Sequence, residues 1–244
     1  MSGGGQATNQ AAWKRAVAEA AVHEIADGAT IGLGTGSTSE QMIYALAERV
    51  RQGLRVRAVA SSERTQALAS SLGIPMVALD EVDQIDISID GADEVTLPNL
   101  DLIKGRGGAL LREKIMALSS RYRIILVDIT KLVPELGAGT TIPVEVETYG
   151  WRHTAERLAA PGCRVIRRPL KPGATGDGPD AEPFITDGGH YTLDLIFDSP
   201  PEIPALAARL KATVGVVEHG LFLGMTDRVY IGGYDGVRHV DRPR

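Results

Sequence analysis

The sequence predicts an α/β protein, a parallel sheet with helices on its faces followed by a smaller α+β unit. Three observations lead there. From about Trp13 onward helical and strand-like periodicities alternate in the manner of βα units. Arg123 to Val127 is an apolar run of the kind found in strands covered on both faces. After Lys131 the character changes to short strand candidates set around two helices.

Taken in order, Met1 to Gln10 is polar and Gly-rich and reads as a frayed tail, and Trp13 to Ile25 as an Ala-rich helix. Thr30 to Leu33 is a short strand, and Ser39 to Val50 a helix with Ser37 or Thr38 as its cap. Arg55 to Ala60 is a strand. Ser62 opens a helix that runs to Leu72, where Gly73-Ile74-Pro75 breaks it. In Ile85 to Asp90 the isoleucines recur with period two, so a strand delivers Asp90 to its carboxyl end. Gly108 to Ser119 is a largely apolar helix. Beyond Lys131 the strand candidates are Pro143 to Glu147, Cys163 to Ile166 and Tyr191 to Phe197, with helices near Trp151 to Ala159 and Ile203 to Lys211. Pro169 to Pro183, rich in proline and glycine, reads as a mobile loop, and Arg228 to Gly232 as a last strand.

Composition excludes several classes. With 244 residues and 43% hydrophobic side chains the chain can bury a sizeable core. A net charge of −5 without a basic run leaves no footprint for nucleic acid, and no apolar run approaches a membrane span. The single cysteine, Cys163, precludes an internal disulfide and fits a reducing compartment, so a cytoplasmic protein is expected. His23-Glu24 begins like a zinc motif, but Asp27 stands where the second histidine belongs. His153, His190, His219 and His239 are scattered, and no metal site is expected. A G-x-S-x-G elbow is also missing.

Three segments carry chemistry. Gly32-Leu33-Gly34-Thr35-Gly36-Ser37-Thr38-Ser39 follows a strand and opens a helix, where free N–H groups and the helix dipole favour an anion. It fails the dinucleotide fingerprint, because Ser37 or Ser39 takes the last glycine's place, and it fails the Walker loop for want of Gly-Lys-Ser/Thr. Its hydroxyls suit a terminal monophosphate; a plain strand-to-helix turn with an N-cap is the other reading. Asp86-x-Ser88-x-Asp90-Gly91 brushes the calcium-loop pattern, but Leu97 stands where its glutamate should be. Ligands of open parallel sheets sit outside the strands' carboxyl ends, where Asp90, Asp93 and Glu94 fall; an acidic turn is the alternative.

Glu113 has Ala109, Leu110, Met116 and Ala117 at helical spacing, so its carboxylate lies on an inward stripe while Arg112 and Lys114 point elsewhere. Burial there raises its pKa toward that of a working base, unless it is a salt-bridged structural residue. Lys104 ends an apolar stretch, and Gly105, Gly107 and Gly108 let backbone approach a ligand; an exposed loop lysine is the alternative. Together these segments are suited to moving a proton on a small phosphorylated molecule.

As an ordered set the motifs resemble the A-type ribose-5-phosphate isomerase family. The matching stretches are Gly32 to Thr38, Ser61-Ser62, Asp90-Gly-Ala-Asp-Glu94, Lys104 to Lys114, Asp128 with Lys131, Pro143 to Val146 and Thr186-Asp187-Gly188. The resemblance implies a Rossmann-like domain (1–132 and 211–244) with an inserted ferredoxin-like α+β domain (133–210). It implies interconversion of ribose 5-phosphate and ribulose 5-phosphate through an enediolate, without metal, nicotinamide or other cofactor, by a homodimer or homotetramer. Glu113 becomes the base between C1 and C2, Asp90 and Asp93 hold sugar hydroxyls and help open the ring, and Lys104 with the glycine-loop amides stabilises the enediolate. Thr35, Ser37 and Thr38 hold the phosphate, helped by Lys131 and Lys14. Gly34, Gly36, Gly91, Gly105, Gly107 and Gly108 complete the substrate-binding set. Arg106 departs from the family by replacing a usual glycine. Two rivals have other chemistry: a sensing domain that binds a sugar phosphate without catalysis, and an acyl-CoA transferase of similar fold.

Overall fold

The computed structural model describes residues 3–160, 162–170 and 182–243. The chain runs α1 (Gly3–Val22), β1 (Ala29–Leu33), α2 (Ser37–Arg51), β2 (Val56–Ala60), α3 (Glu63–Ser71) and β3 (Ile85–Gly91). Two short strands, β4 (Glu94–Val95) and β5 (Leu102–Ile103), precede α4 (Leu110–Leu118) and β6 (Ser120–Asp128). Then follow β7 (Ile142–Val146), α5 (Trp151–Leu158), β8 (Cys163–Arg167), β9 (Tyr191–Phe197), α6 (Ile203–Ala212) and β10 (Val216–His219). The chain closes with β11 (Leu221–Phe222), β12 (Arg228–Gly233) and β13 (Gly236–Asp241).

The main sheet has the order β13-β12-β6-β3-β1-β2, parallel throughout except for the antiparallel edge strand β13. From β1 the chain steps to β2 on one side and then to β3 on the other. The carboxyl ends of β1 and β3 therefore form a topological switch point, the crevice where open α/β sheets bind ligands. Val17, Ile31, Met42, Leu46 and Ile124 belong to the core that joins α1 and α2 to one face of the sheet. Each such side chain contributes roughly 1.5–3 kcal/mol by leaving water.

The second sheet, β10-β7-β9-β8, is wholly antiparallel and carries α5 and α6, a βαββαβ unit of ferredoxin-like order. Its core is Ile142, Val144, Leu158, Leu193, Leu195 and Leu206. Its fourth strand, β10, falls within the 211–244 segment that the resemblance allots to the returning larger domain. A third sheet, β11-β5-β4, bridges the two.

Some elements differ from the sequence reading. The helix of Trp13 extends back to Gly3 in place of a frayed tail, because helix propagates readily once the Ala-rich turns have formed. The cap of α2 is Gly36, with φ of 112° and no side-chain bond, not Ser37 or Thr38, which lie inside the first turn. Ser62 does cap α3, its hydroxyl accepting from Thr65 N at 3.1 Å. Of the expected loop 169–183, residues 171–181 lie outside the described residues; at its base Leu170 N donates to Glu182 O at 2.8 Å.

Candidate active site

One end of the site is built by the turn between β1 and α2. Gly34 N donates to Ile89 O at 3.0 Å, and a Cβ on Gly34 would lie 1.9 Å from Asp90 Oδ1, so only glycine lets the two strand ends abut. The backbone then turns at Gly36 and presents the N–H groups of the first turn of α2, which lack helical partners. Lys14 from α1 donates to Ser37 Oγ at 3.0 Å, and Lys131 arrives from the short turn after β6. These residues, with Gly36 and Thr38, line one part of a cavity of about 350 Å³. Thr35 lines it too, but its hydroxyl bonds Ser61 Oγ (2.9 Å), Ser62 Oγ (2.8 Å) and Thr65 Oγ1 (3.2 Å), a cluster that braces the turn.

The other part is lined by Asp93, Lys104, Glu113 and the glycine-rich loop. Lys104, 4% exposed, donates to Gly91 O at 2.6 Å and lies 2.8 Å from Asp90 Oδ2 and 3.3 Å from Glu113 Oε2. Glu113 is 3% exposed, and its Oε2 is buried without a hydrogen bond. Burial pushes the Glu113 carboxyl up to about 8; Lys104 opposes the rise, and the charges of Asp90 and Asp93 add to it. Burial also works against the Lys104 ammonium, but Asp90 and Glu113 outweigh it and raise its pKa, so it stays charged. The result is a carboxyl that titrates near neutrality beside a permanent cation.

The structure thus gathers Lys14, Thr35, Gly36, Ser37, Thr38, Gly91, Asp93, Lys104, Gly105, Gly107, Glu113 and Lys131 around one cavity. Asp90, Gly34 and Gly108 stand behind its wall. Asp90 Oδ1 accepts from Thr35 N (3.1 Å), Ser39 Oγ (3.1 Å) and Gly91 N (2.7 Å), while Oδ2 faces Lys104. Asp93 Oδ2 accepts the Arg106 N–H at 3.0 Å, and Gly108 N donates to Gly105 O at 3.0 Å, so two loop amides are already bonded. Ala92 and Arg106 also line the cavity. Ala92 offers no chemical signal in a sequence, whereas Arg106 stands out there only as a departure from a family pattern.

Lys114, beside Glu113, is also buried: its ammonium bonds Glu218 Oε1 (2.9 Å), His219 O (2.6 Å) and Leu221 O (3.0 Å). Among the described residues no group of three or more His, Cys, Asp or Glu side chains is placed to hold a metal ion. Nor is any helix among them long and apolar enough to cross a membrane.

Comparison with known proteins follows the same lines. Residues 57–236 match the family described as ribose 5-phosphate isomerase A (phosphoriboisomerase A). Ribose-5-phosphate isomerase A of Synechococcus sp. (strain JA-3-3Ab) is 45% identical over 225 residues, 92% of this chain and 94% of the relative. Ribose 5-phosphate isomerase from Plasmodium falciparum superposes with a TM-score of 0.88 at 38% identity, covering 96% of this chain and 100% of the other. A D-ribose-5-phosphate isomerase solved in complex with phospho-erythronic acid gives a TM-score of 0.87 at 36% identity, covering 95% and 98%.

Proposed function

Because the chain belongs to the ribose 5-phosphate isomerase A family and so interconverts ribose 5-phosphate and ribulose 5-phosphate, we propose that Glu113 is the base that carries the proton between C1 and C2. The observation that carries this is the buried Glu113 carboxyl, which lines the cavity with its Oε2 3.3 Å from the Lys104 ammonium. In the open-chain aldose the carboxylate takes the proton from C2. The C–H electron pair becomes the C1–C2 double bond, and O1 receives the carbonyl electrons as an oxyanion. A proton passes from O2 to O1, and the Glu113 carboxyl then returns its own proton to C1, leaving a ketone at C2. A C–H of this kind is a very weak acid, so a base needs a fixed positive group where oxyanion charge develops; Lys104 supplies it.

Asp93 reaches the cavity and is assigned the proton transfers of ring opening. Asp90, with both oxygens engaged, holds Lys104 and the β1–α2 turn in place. The phosphate is assigned to the first turn of α2 with Ser37, Thr38, Lys14 and Lys131. Cys163, a buried free thiol, supports placement in a reducing compartment such as the cytoplasm.

The test is turnover of ribose 5-phosphate by Glu113→Gln, which keeps the shape and removes the basic oxygen. The expected loss in kcat is about 10³-fold or more, with KM little changed. A variant that retains a tenth of the parent's kcat assigns the base to another group.

A further inference from the structure

We propose that Arg168, on the smaller unit just beyond β8, is a positioning residue that orients two consecutive peptide groups of the loop 104–108. The proposal rests on the reading above that this loop borders the reacting end of the cavity.

The Arg168 backbone is anchored on β9, its N–H donating to Thr192 O at 2.8 Å. Its guanidinium clasps Asp194 with Nε on Oδ2 (2.8 Å) and Nη2 on Oδ1 (2.5 Å). The remaining nitrogen, Nη1, donates to Gly105 O (2.8 Å) and Arg106 O (3.2 Å). One planar fork therefore ties a carboxylate of the second sheet to two carbonyls of the glycine loop, a geometry an ammonium cannot reproduce.

A trans peptide is planar, and its C=O and N–H point in opposite directions. Drawing Gly105 O toward Arg168 therefore turns the Arg106 N–H the other way, where it meets Asp93 Oδ2 at 3.0 Å. Drawing Arg106 O the same way turns the Gly107 N–H away from Arg168, and Gly107 lines the cavity. Gly105, at φ of 109°, and Gly107 have the freedom to let these peptides flip; the Gly108 N–H holds Gly105 O from within the loop at 3.0 Å, and Arg168 grips both carbonyls from outside it. The neighbouring Phe184 adds a steric stop. Its N–H donates to Arg168 O at 2.9 Å, and its ring lies where a Cβ on Gly108 would come within 2.2 Å.

The experiment measures kcat and KM on ribose 5-phosphate for Arg168→Ala, Arg168→Lys and the double variant Arg168→Ala/Asp194→Asn, with Lys104→Met as control. Both single variants are expected to lose about 10- to 100-fold in kcat with KM within about threefold, since misplaced reacting groups cost rate while the phosphate end is untouched. Added ethylguanidinium should restore several-fold activity to Arg168→Ala and none to Arg168→Lys. The double variant removes the stranded Asp194 charge, which protects the fold, and should stay as slow as Arg168→Ala. Parental kcat in the double variant, or a loss in Arg168→Ala that ethylguanidinium does not relieve, overturns the proposal. If Lys104→Met itself stays active, the reading of the site falls; if it is inactive while Arg168→Ala turns over normally, only the role of Arg168 falls.

Discussion

Two buried lysines share the Phe222 ring, Lys104 with its ammonium 5.5 Å from the centroid and Lys114 at 4.8 Å, yet their surroundings give them different work. Lys104 meets two carboxylates, which hold its proton against burial, and one of them, Glu113, lines the cavity. Lys114 meets one carboxylate and two carbonyls, and burial lowers its pKa. Burial works against the Glu218 charge, but bonds from Lys211 and Lys114 hold its carboxyl down to about 2; burial, helped by Lys114, holds His219 down to about 4. Around Lys114 the charges are mutually satisfied, and the cluster acts as a rivet between α4 and the β10–β11 segment. Around Lys104 one of the two paired carboxylates, Glu113, also lines the cavity, and that carboxylate is what can take a proton from a substrate. Burial alone does not make a charged group reactive; a buried carboxyl that also borders open space can be.

The sharpest way to break this comparison is to remove each lysine in turn. Lys104→Met leaves Asp90 and Glu113 buried without their cation and is expected to lose stability, while the molecules that fold should lose about 10³-fold in kcat, because the developing oxyanion loses its cation. Lys114→Met is expected to lose about 1–3 kcal/mol of stability in chemical denaturation, since the His219 and Leu221 carbonyls lose their donor while Lys211 still faces Glu218, and kcat per folded molecule should stay within about tenfold. If folded Lys114→Met is inactive, the distinction between rivet and reactive centre is lost.

A second measure uses pH. With Glu113 at about 8, the fraction ionised falls tenfold for each pH unit below that value, so log kcat/KM should rise with unit slope and level off above about pH 8. The same shift affects stability. A carboxyl whose folded pKa lies above its unfolded value stabilises the fold fully below pH 4.5, and that contribution is lost as pH rises through about 8. Glu113→Gln should therefore gain on the parent across that window, by at most roughly 5 kcal/mol, in melting experiments at paired pH values. A constant difference between the two proteins would mean that Glu113 titrates normally.

The smallest expected effect lies at the other end of the cavity. Lys14 lies among exposed groups and donates to Ser37, so Lys14→Ala should raise KM about five- to tenfold with kcat nearly unchanged, and added salt should narrow the gap. A fall in kcat with unchanged KM would move Lys14 from phosphate binding to chemistry.

Much of this was legible in the chain itself. Period-two isoleucines placed β3 and delivered Asp90 to a strand end, and helical spacing put Glu113 on the buried face of α4, because both signals lie within a few residues of each other. The two-residue strands β4, β5 and β11 were illegible, since a pair of residues carries no period. Lys104 could be read as an exposed loop residue until β5 and β11 enclosed it. The hydroxyl of Thr35 was expected at a phosphate, yet it faces Ser61, Ser62 and Thr65, a choice made by packing across β1 and α3. Arg168 gave no local signal, because the carbonyls it grips lie more than sixty residues earlier in the chain.

By itself, then, the sequence determined the alternation of helix and strand, the glycine and hydroxyl loop at a helix start, and the side chains that could carry a proton. The tertiary structure decided which buried charges became partners, Lys104 with Asp90 and Glu113 and Lys114 with Glu218, and which loop carbonyls Arg168 holds. Periodicity is a property of neighbouring residues, whereas the ionisation of a buried group depends on the water it has lost and on partners that only folding brings within reach.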